Sequence, residues 1–574
     1  MLVKPVVTTV LIALFLAACG APRDNGGQDR AAEAVYLNGL IYTVDPDNPR
    51  AEAVAIRDGE FVAVGTDEDI HAFVGDETEV VDLGGQMVLP GLYDSHIHPV
   101  DGMLQERYNC NFPFTGTLED AAAAVASCAG ANPDRTWISG GQWNAGVLDT
   151  TTPTKEMLDA VVPDRPVYLA DATYHHAWVN SRALELAGIT IETPDPPGGT
   201  IVRDEVTGEA VGTLLETATR LVSSKIPPYS EDEYIAAALA IQARMNGFGF
   251  TAMKSAHTSI EHLETYKRLD DEGRLTIRVG THLSYVDPAA APDRIELLDA
   301  TIGERRRYAS DLIRTDFIKF VLDGVPPSHT AAYIEPYLNR PDFHGEVLVP
   351  QDTLDALSTR FDAMGLTIKY HAAGDRAARV AINAIEAAQR ENGASGLKHE
   401  IGHASLIHPD DIPRLAEFGG VAEVSPILWY PSRFILRAHY NALGEERAER
   451  LWPVSDYVDA GVLTVAGSDW PAAVASPNPW PAIEALVTRE NPYGEMPGTK
   501  RGAAYAVPLE TAIRMYTANG AIAMGIGDTA GSIEAGKTAD MIVLDRNIFE
   551  IPPADIDGTE VTLTLLEGKV VYRN

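Results

Sequence analysis

Cysteine is scarce in this 574-residue chain: Cys19, Cys110 and Cys128 are the only three, with no CxxC pair and no Cys/His cluster among them. A thiolate zinc site is therefore not expected. Positive charge is also in deficit, with 45 Lys and Arg against 82 Asp and Glu, a formal charge of -37 spread along the chain and not gathered into a tail. Phosphate backbones need a basic face, so nucleic acid is excluded as an expected partner, and the excess acid reads as a hydrated, soluble surface. The one leading apolar run, from Pro5 to Ala18, is too short to count as a membrane span. What is present is a globular balance, 45% hydrophobic and 22% charged, over a length that exceeds one hydrophobic core. One large domain and at least one smaller one are expected.

The N-terminus has more to say. Lys4 precedes the apolar run, which ends in Leu16-Ala17-Ala18-Cys19-Gly20, the order of an export signal with a small-residue cleavage site. Its end resembles the lipobox of bacterial lipoproteins, in which Cys19 becomes the lipidated first residue; an ordinary signal peptide with a chance cysteine is the alternative. Residues 1–19 are thus read as signal peptide and lipobox, and 20–34 as a flexible tether. The protein is expected to be exported and lipid-anchored to a membrane facing the periplasm, Gly20 favouring the outer membrane under the usual Gram-negative rule. Export would carry Cys110 and Cys128 into an oxidising compartment, where a disulfide can persist; bridged and free forms both stay open.

Short strands with glycine-containing turns fill residues 35–86, with Asp58-Gly59 as a hairpin turn, and the pattern returns over 528–574. Two such halves at opposite ends predict one β-sandwich domain completed by both termini. Between them, residues 87–527 alternate apolar runs with helical stretches, the mark of βα units. Strands are expected at 87–96, 249–255, 276–285, 317–323, 367–371, 397–403, 420–426 and 463–469. Eight units give an α/β (β/α)8 barrel of the TIM type, with its site at the C-terminal ends of the strands. A long insertion after the first strand, about 100–245, includes a hairpin over 198–216 and is placed to form a lid or substrate pocket.

The chemistry starts with Asp94-Ser95-His96-Ile97-His98-Pro99. Residues two apart on a strand project to one side, so His96 and His98 can offer imidazoles to one metal. His371 in TIKYHAAGD and His403 in KHEIGHASL each close an apolar run and would face the barrel mouth. Asp469 in LTVAGSDWP supplies a carboxylate that can bind metal and accept a proton from water, or else merely caps a turn. Lys319 in DFIKFVLDG ends a strand that is otherwise apolar. Burial favours its neutral amine and hence carboxylation to a carbamate able to bridge two cations. An ion pair with Asp316 or Asp323 is the plainer reading, and Lys254 in GFTAMKSAH is a rival for the bridge.

Taken together, these residues resemble the amidohydrolase superfamily in its binuclear form. DSHIHP, FIKFVLDGV, YHAAGDRA (370–377), GSDWP (467–471) and GSIEAGKTADMIVLD (531–545) resemble amidohydrolase family 3, and AWVNSRALELAGI (177–189) its subgroup of N-substituted formamide deformylase-like hydrolases. The resemblance implies two divalent metal ions, most simply zinc, held by His96, His98 and Asp469 on one side and His371 and His403 on the other, with carboxylated Lys319 between them. It also implies Asp469 as the catalytic proton carrier and His175, or its neighbour His176, as a catalytic contact to a small-molecule substrate. Where relatives often have Glu-His, this chain reads Gly402-His403, so help from a glutamate at that position is absent. Trp143, Trp178, Trp429 and Tyr430 either wall an apolar substrate pocket or serve as packing.

The expected reaction is hydrolysis of a non-peptide carbon-nitrogen bond in an amide, N-acyl amine, carbamate or cyclic amide. Ester or lactone hydrolysis by the same site is the alternative, and a catalytically inactive lipid-anchored binding protein is the alternative of another class. Deamination fits less well, because such sites generally manage with one metal and have no need of Lys319. A homo-oligomer stays open.

Overall fold

The computed structural model describes residues 31–112, 116–143, 151–171, 176–196, 198–286, 292–326, 329–472 and 474–574; Cys19 lies outside them. Eight strands pair in chain order as one parallel sheet: β1 (Leu92–Ile97), β2 (Phe250–Thr258), β3 (Arg278–Ser284), β4 (Ile313–Val321), β5 (Thr367–His371), β6 (Glu400–Gly402), β7 (Val421–Val424) and β8 (Leu463–Ala466). Past its edges the sheet is laced shut: the Asp469 N–H donates to the His96 carbonyl at 2.7 Å and the His98 N–H to the Trp470 carbonyl at 2.9 Å. This is the expected (β/α)8 barrel. Its strands read as unbroken apolar runs because helices cover their outer faces. The helix Asp375–Asn392 shows how, burying Ala377, Ala378, Ala381, Ile382, Ala384 and Ile385.

Several strand boundaries differ from expectation, for physical reasons. The run expected as a single strand over 87–96 is two: Met87–Pro90 belongs to another sheet, and β1 starts only after Gly91. At Gly91 the backbone passes so close to β2 that a Cβ would lie 2.3 Å from the Thr251 hydroxyl. β8 stops at Ala466, three residues before Asp469, whose φ of +56° no strand accommodates. β4 begins earlier than expected, at Ile313, and ends at Val321.

The chain ends build two further sheets, one from the N-terminal part alone and one from both ends. One has four strands (Ala34–Leu37, Ala53–Arg57, Glu60–Gly65, Glu79–Asp82). The other has six and mixes Leu40–Tyr42, Arg50–Ala51 and Met87–Pro90 with Met541–Leu544, Val561–Leu566 and Lys569–Arg573. Tyr36, Val54, Phe61, Val88, Met541 and Leu565 from both sheets share one apolar cluster. Buried Arg278, at the start of β3, reaches this unit through an ion pair with Asp540 and another with Glu567 at 2.8 Å, so it abuts the N-terminal end of the barrel, away from the strand ends that carry chemistry.

Between β1 and β2 the chain builds a six-stranded sheet of its own, from Cys110–Asn111 to Ala210–Glu216, in which Gly199–Arg203 and Ala210–Glu216 pair antiparallel. Cys110 and Cys128 form a disulfide that ties this sheet to the helix Leu118–Ala131.

Candidate metal centre

The ends of β1 and β8 press together. The buried Asp94 carboxylate accepts the N–H of His96 (3.1 Å) and of Ser468 (3.0 Å), pinning one strand end to the other. A Cβ at Gly467 would lie 2.5 Å from the His96 nitrogen, so only glycine permits the approach. As a result the ring nitrogens of His96 and His98 stand 3.5 and 3.4 Å from Asp469 Oδ1. These three residues form a group whose ligand atoms could share one ion.

The other expected ligands converge on the same place. His403 Nδ1 lies 3.9 Å from Asp469 Oδ2, and His403 Nε2 lies 2.9 Å from His371 Nδ1. Lys319 Nζ is 3.2 Å from His96 Nε2. His403 and the following Ala404 take positive φ (+68° and +36°), as does Asp469. Non-glycine residues in this region cost about 1–3 kcal/mol each and cluster at functional sites, where the surrounding structure holds them.

Burial sets the protonation of this group. It drives His96 and His403 well below the usual histidine range and His371 down to about 3, with the Lys319 ammonium beside His96 and His371 acting in the same direction. The imidazoles of His96, His371 and His403 are therefore neutral and keep lone pairs for a cation. Burial also pushes Lys319 down to about 8, with the Lys369 cation adding to the shift. The donor set fits divalent metal: four imidazoles, a carboxylate and an easily deprotonated lysine, with two imidazole nitrogens facing each other at hydrogen-bond distance.

Lys254 does not reach this cluster. Its ammonium pairs with Glu400 and donates to the Ala523 carbonyl at 3.1 Å, deeper in the barrel. His175 lies outside the described residues; His176 is turned to Asp171, 3.3 Å from its carboxylate. The tryptophans expected at the pocket wall are buried packing. The Trp143 indole N–H is donated to the Leu169 carbonyl (3.0 Å) and that of Trp178 to the Thr154 carbonyl (2.8 Å), inside the core that the insertion's own sheet requires. Trp429, also fully buried, sits under the Arg489 guanidinium and beside Trp452.

Three residues of the site went unnoticed in the sequence. Glu423 on β7, Lys369 on β5 and Glu400 on β6 are fully buried below the ligands, and Glu423 Oε2 lies 2.5 Å from His96 Nδ1. The cost of burying charge, which singled out Lys319, applies equally to TIKYH and VAEVS and would have found two of them.

A barrel with histidine, carboxylate and lysine donors at its strand ends defines a metal-dependent hydrolase. The chain belongs to the amidohydrolase family, whose family 3 model matches residues 79–572. It is 29% identical to N-substituted formamide deformylase of Arthrobacter pascens over 94% of this chain and 98% of that one. Among solved structures it resembles an uncharacterized metal-dependent hydrolase from Pyrococcus horikoshii OT3 (TM-score 0.72, 22% identity, 92% of this chain and 99% of that one). It also resembles the zinc complex of atrazine chlorohydrolase TrzN from Arthrobacter aurescens TC1 (TM-score 0.54, 15% identity, 94% and 95%). The protein is an enzyme that hydrolyses carbon-nitrogen bonds other than peptide bonds.

Proposed function

We propose that the substrate is a small amide, N-acyl amine, carbamate or cyclic amide, cleaved at a two-metal centre. The convergence of six donor residues within hydrogen-bond to ion-pair distances carries this reading. His96, His98 and Asp469 would hold one ion and His371 and His403 the other, with carboxylated Lys319 as the shared ligand. Bound divalent ions, zinc in the simplest case, supply an activated water and polarise the carbonyl. Asp469, held by the turn after β8 against His96 and the adjoining His98, would take a proton from the water and return it to the leaving nitrogen. The insertion follows directly from the β1 ligands and is read as the part that selects the substrate, with His175 as its contact.

Elemental analysis should find about two transition-metal ions per chain, and chelation should abolish hydrolysis of a panel of N-acyl compounds. A metal-free preparation that retains activity sinks the proposal, and exclusive turnover of esters or lactones moves it to the neighbouring reaction.

We read the two sheets built from the chain ends as one sandwich domain, on the strength of their shared apolar cluster. We also place the protein outside the cytoplasm, lipid-anchored at Cys19 on the periplasmic side of the outer membrane. The Leu-Ala-Ala-Cys-Gly sequence and the Cys110–Cys128 disulfide support this. Labelling with radioactive palmitate should mark the wild-type chain and leave Cys19→Ser unlabelled; equal labelling of both removes the anchor.

A further inference from the structure

Beneath the ligands lies a buried quartet of charges that hydrolysis at the metal centre does not explain. Lys254, Lys369, Glu400 and Glu423 are each no more than 1% exposed. Strand register puts Lys319, Lys369 and Glu400 side by side, and Glu423 lies two residues beyond Val421, the partner of Glu400, so all face the barrel interior. Lys369 Nζ bridges the two glutamates, 3.0 Å from Glu400 and 3.7 Å from Glu423, and donates to the Ser95 carbonyl at 2.5 Å; Lys254 pairs with Glu400. A buried quartet of this kind is no better for stability than apolar packing of the same shape, so its presence calls for another reason.

We propose that Glu423 is the positioning residue that prepares His96 as a metal ligand, and that Lys369 holds Glu423 in place. An ionised carboxylate only accepts hydrogen bonds, and a neutral imidazole has one N–H to give. With Glu423 Oε2 at Nδ1, the His96 proton sits on Nδ1 and the Nε2 lone pair faces Lys319 and Asp469. The same oxygen accepts the His403 backbone N–H at 3.2 Å. One carboxylate thus orients ligands on both halves of the site, from β1 and from β6.

Gly402 completes the arrangement. A Cβ there would stand 3.3 Å from Lys369 Cγ, 3.5 Å from Glu423 Oε2 and 3.2 Å from the Tyr370 carbonyl. Without a side chain, Gly402 leaves room for the carboxylate that arrives from the next strand.

The inference rests on the two-metal reading, and the test separates the two. Metal-free wild type and Glu423→Gln are titrated with Zn2+ against a chelating indicator, with circular dichroism and thermal melts of the metal-free proteins as the check on folding. Outer carboxylates of this type typically contribute 10–100-fold in metal affinity. Glu423→Gln should lose that much at one site while keeping the wild-type spectrum. Unchanged affinity at both sites overturns the assignment to Glu423 alone. Wild type that binds no zinc overturns the two-metal reading itself. Should Glu423→Gln not fold, nitrogen NMR of metal-free wild type labelled in its histidine rings decides: His96 must carry its proton on Nδ1, and a proton on Nε2 refutes the proposal.

Discussion

Lys319 shows how one side chain can be tuned by its surroundings. With burial holding it down to about 8, roughly a tenth of the amine is neutral at pH 7, several hundred times the share of an ordinary lysine. The neutral amine is the form that captures carbon dioxide. Zinc uptake by metal-free protein should therefore accelerate with added bicarbonate and with pH up to about 8, a dependence absent in Lys319→Ala; a flat profile in wild type would argue against the carbamate. Lys319→Ala should lose at least one metal and about 100-fold or more in activity. The sign of the stability effect follows from the same shift. The folded, metal-free chain holds Lys319 near 8 against an ordinary 10.5, so the unfolded state binds more protons between these values. The cost of burying this lysine is complete below pH 8 and is relieved as pH rises toward 10.5. The metal-free protein should gain less from alkaline pH once Lys319 is replaced by methionine, as read by urea titration at pH 7.5 and 9.5.

At the scale of elements, the catalytic face depends on a few stitches between strand ends. Asp323, just beyond β4, is fully buried and accepts three backbone N–H groups, from Ala332 (2.8 Å), Ala373 (3.0 Å) and Gly374 (2.8 Å), so the loops after β4 and β5 share one anchor. Asp323→Ala would orphan three buried donors and should cost about 3–5 kcal/mol in urea unfolding, with Asp323→Asn losing less. Gly467 is the counterpart between β8 and β1. Gly467→Ala forces the strand ends apart, because its methyl would lie within 3 Å of the His96 nitrogen, Cα and Cβ. We expect that variant to fold but to hold about one metal ion fewer per chain than wild type, measured by elemental analysis.

At the scale of the molecule, three bodies of structure meet with separate duties. The barrel carries the ligands, the two-ended sheets abut its far end through Arg278, and the insertion rises from the catalytic face with its own apolar core. The Cys110–Cys128 bridge closes a loop of 18 residues within the insertion alone. In the chain-entropy picture such a loop contributes about 3 kcal/mol. Cys110→Ser should therefore raise proteolytic cleavage within the insertion while leaving metal content near two per chain. Equal loosening of the barrel would show that the two are coupled more tightly than their separate cores imply.

The sequence by itself singled out the candidates for holding metal, His96, His98, His371, His403 and Asp469 with either Lys319 or Lys254, because histidines, an aspartate and a lysine at the ends of apolar runs are costly to bury without partners. It also determined the barrel, since period and run length are local properties of the chain. Tertiary structure decided what local pattern cannot encode. It set Lys319 beside His96 and Lys254 against Glu400, turned Trp143, Trp178 and Trp429 inward, and set Glu423 against His96 across 327 positions of chain. Those outcomes depend on which strands become neighbours and which faces close on one another. In a barrel that is settled only when the first strand meets the last, here where the Asp469 N–H reaches the His96 carbonyl.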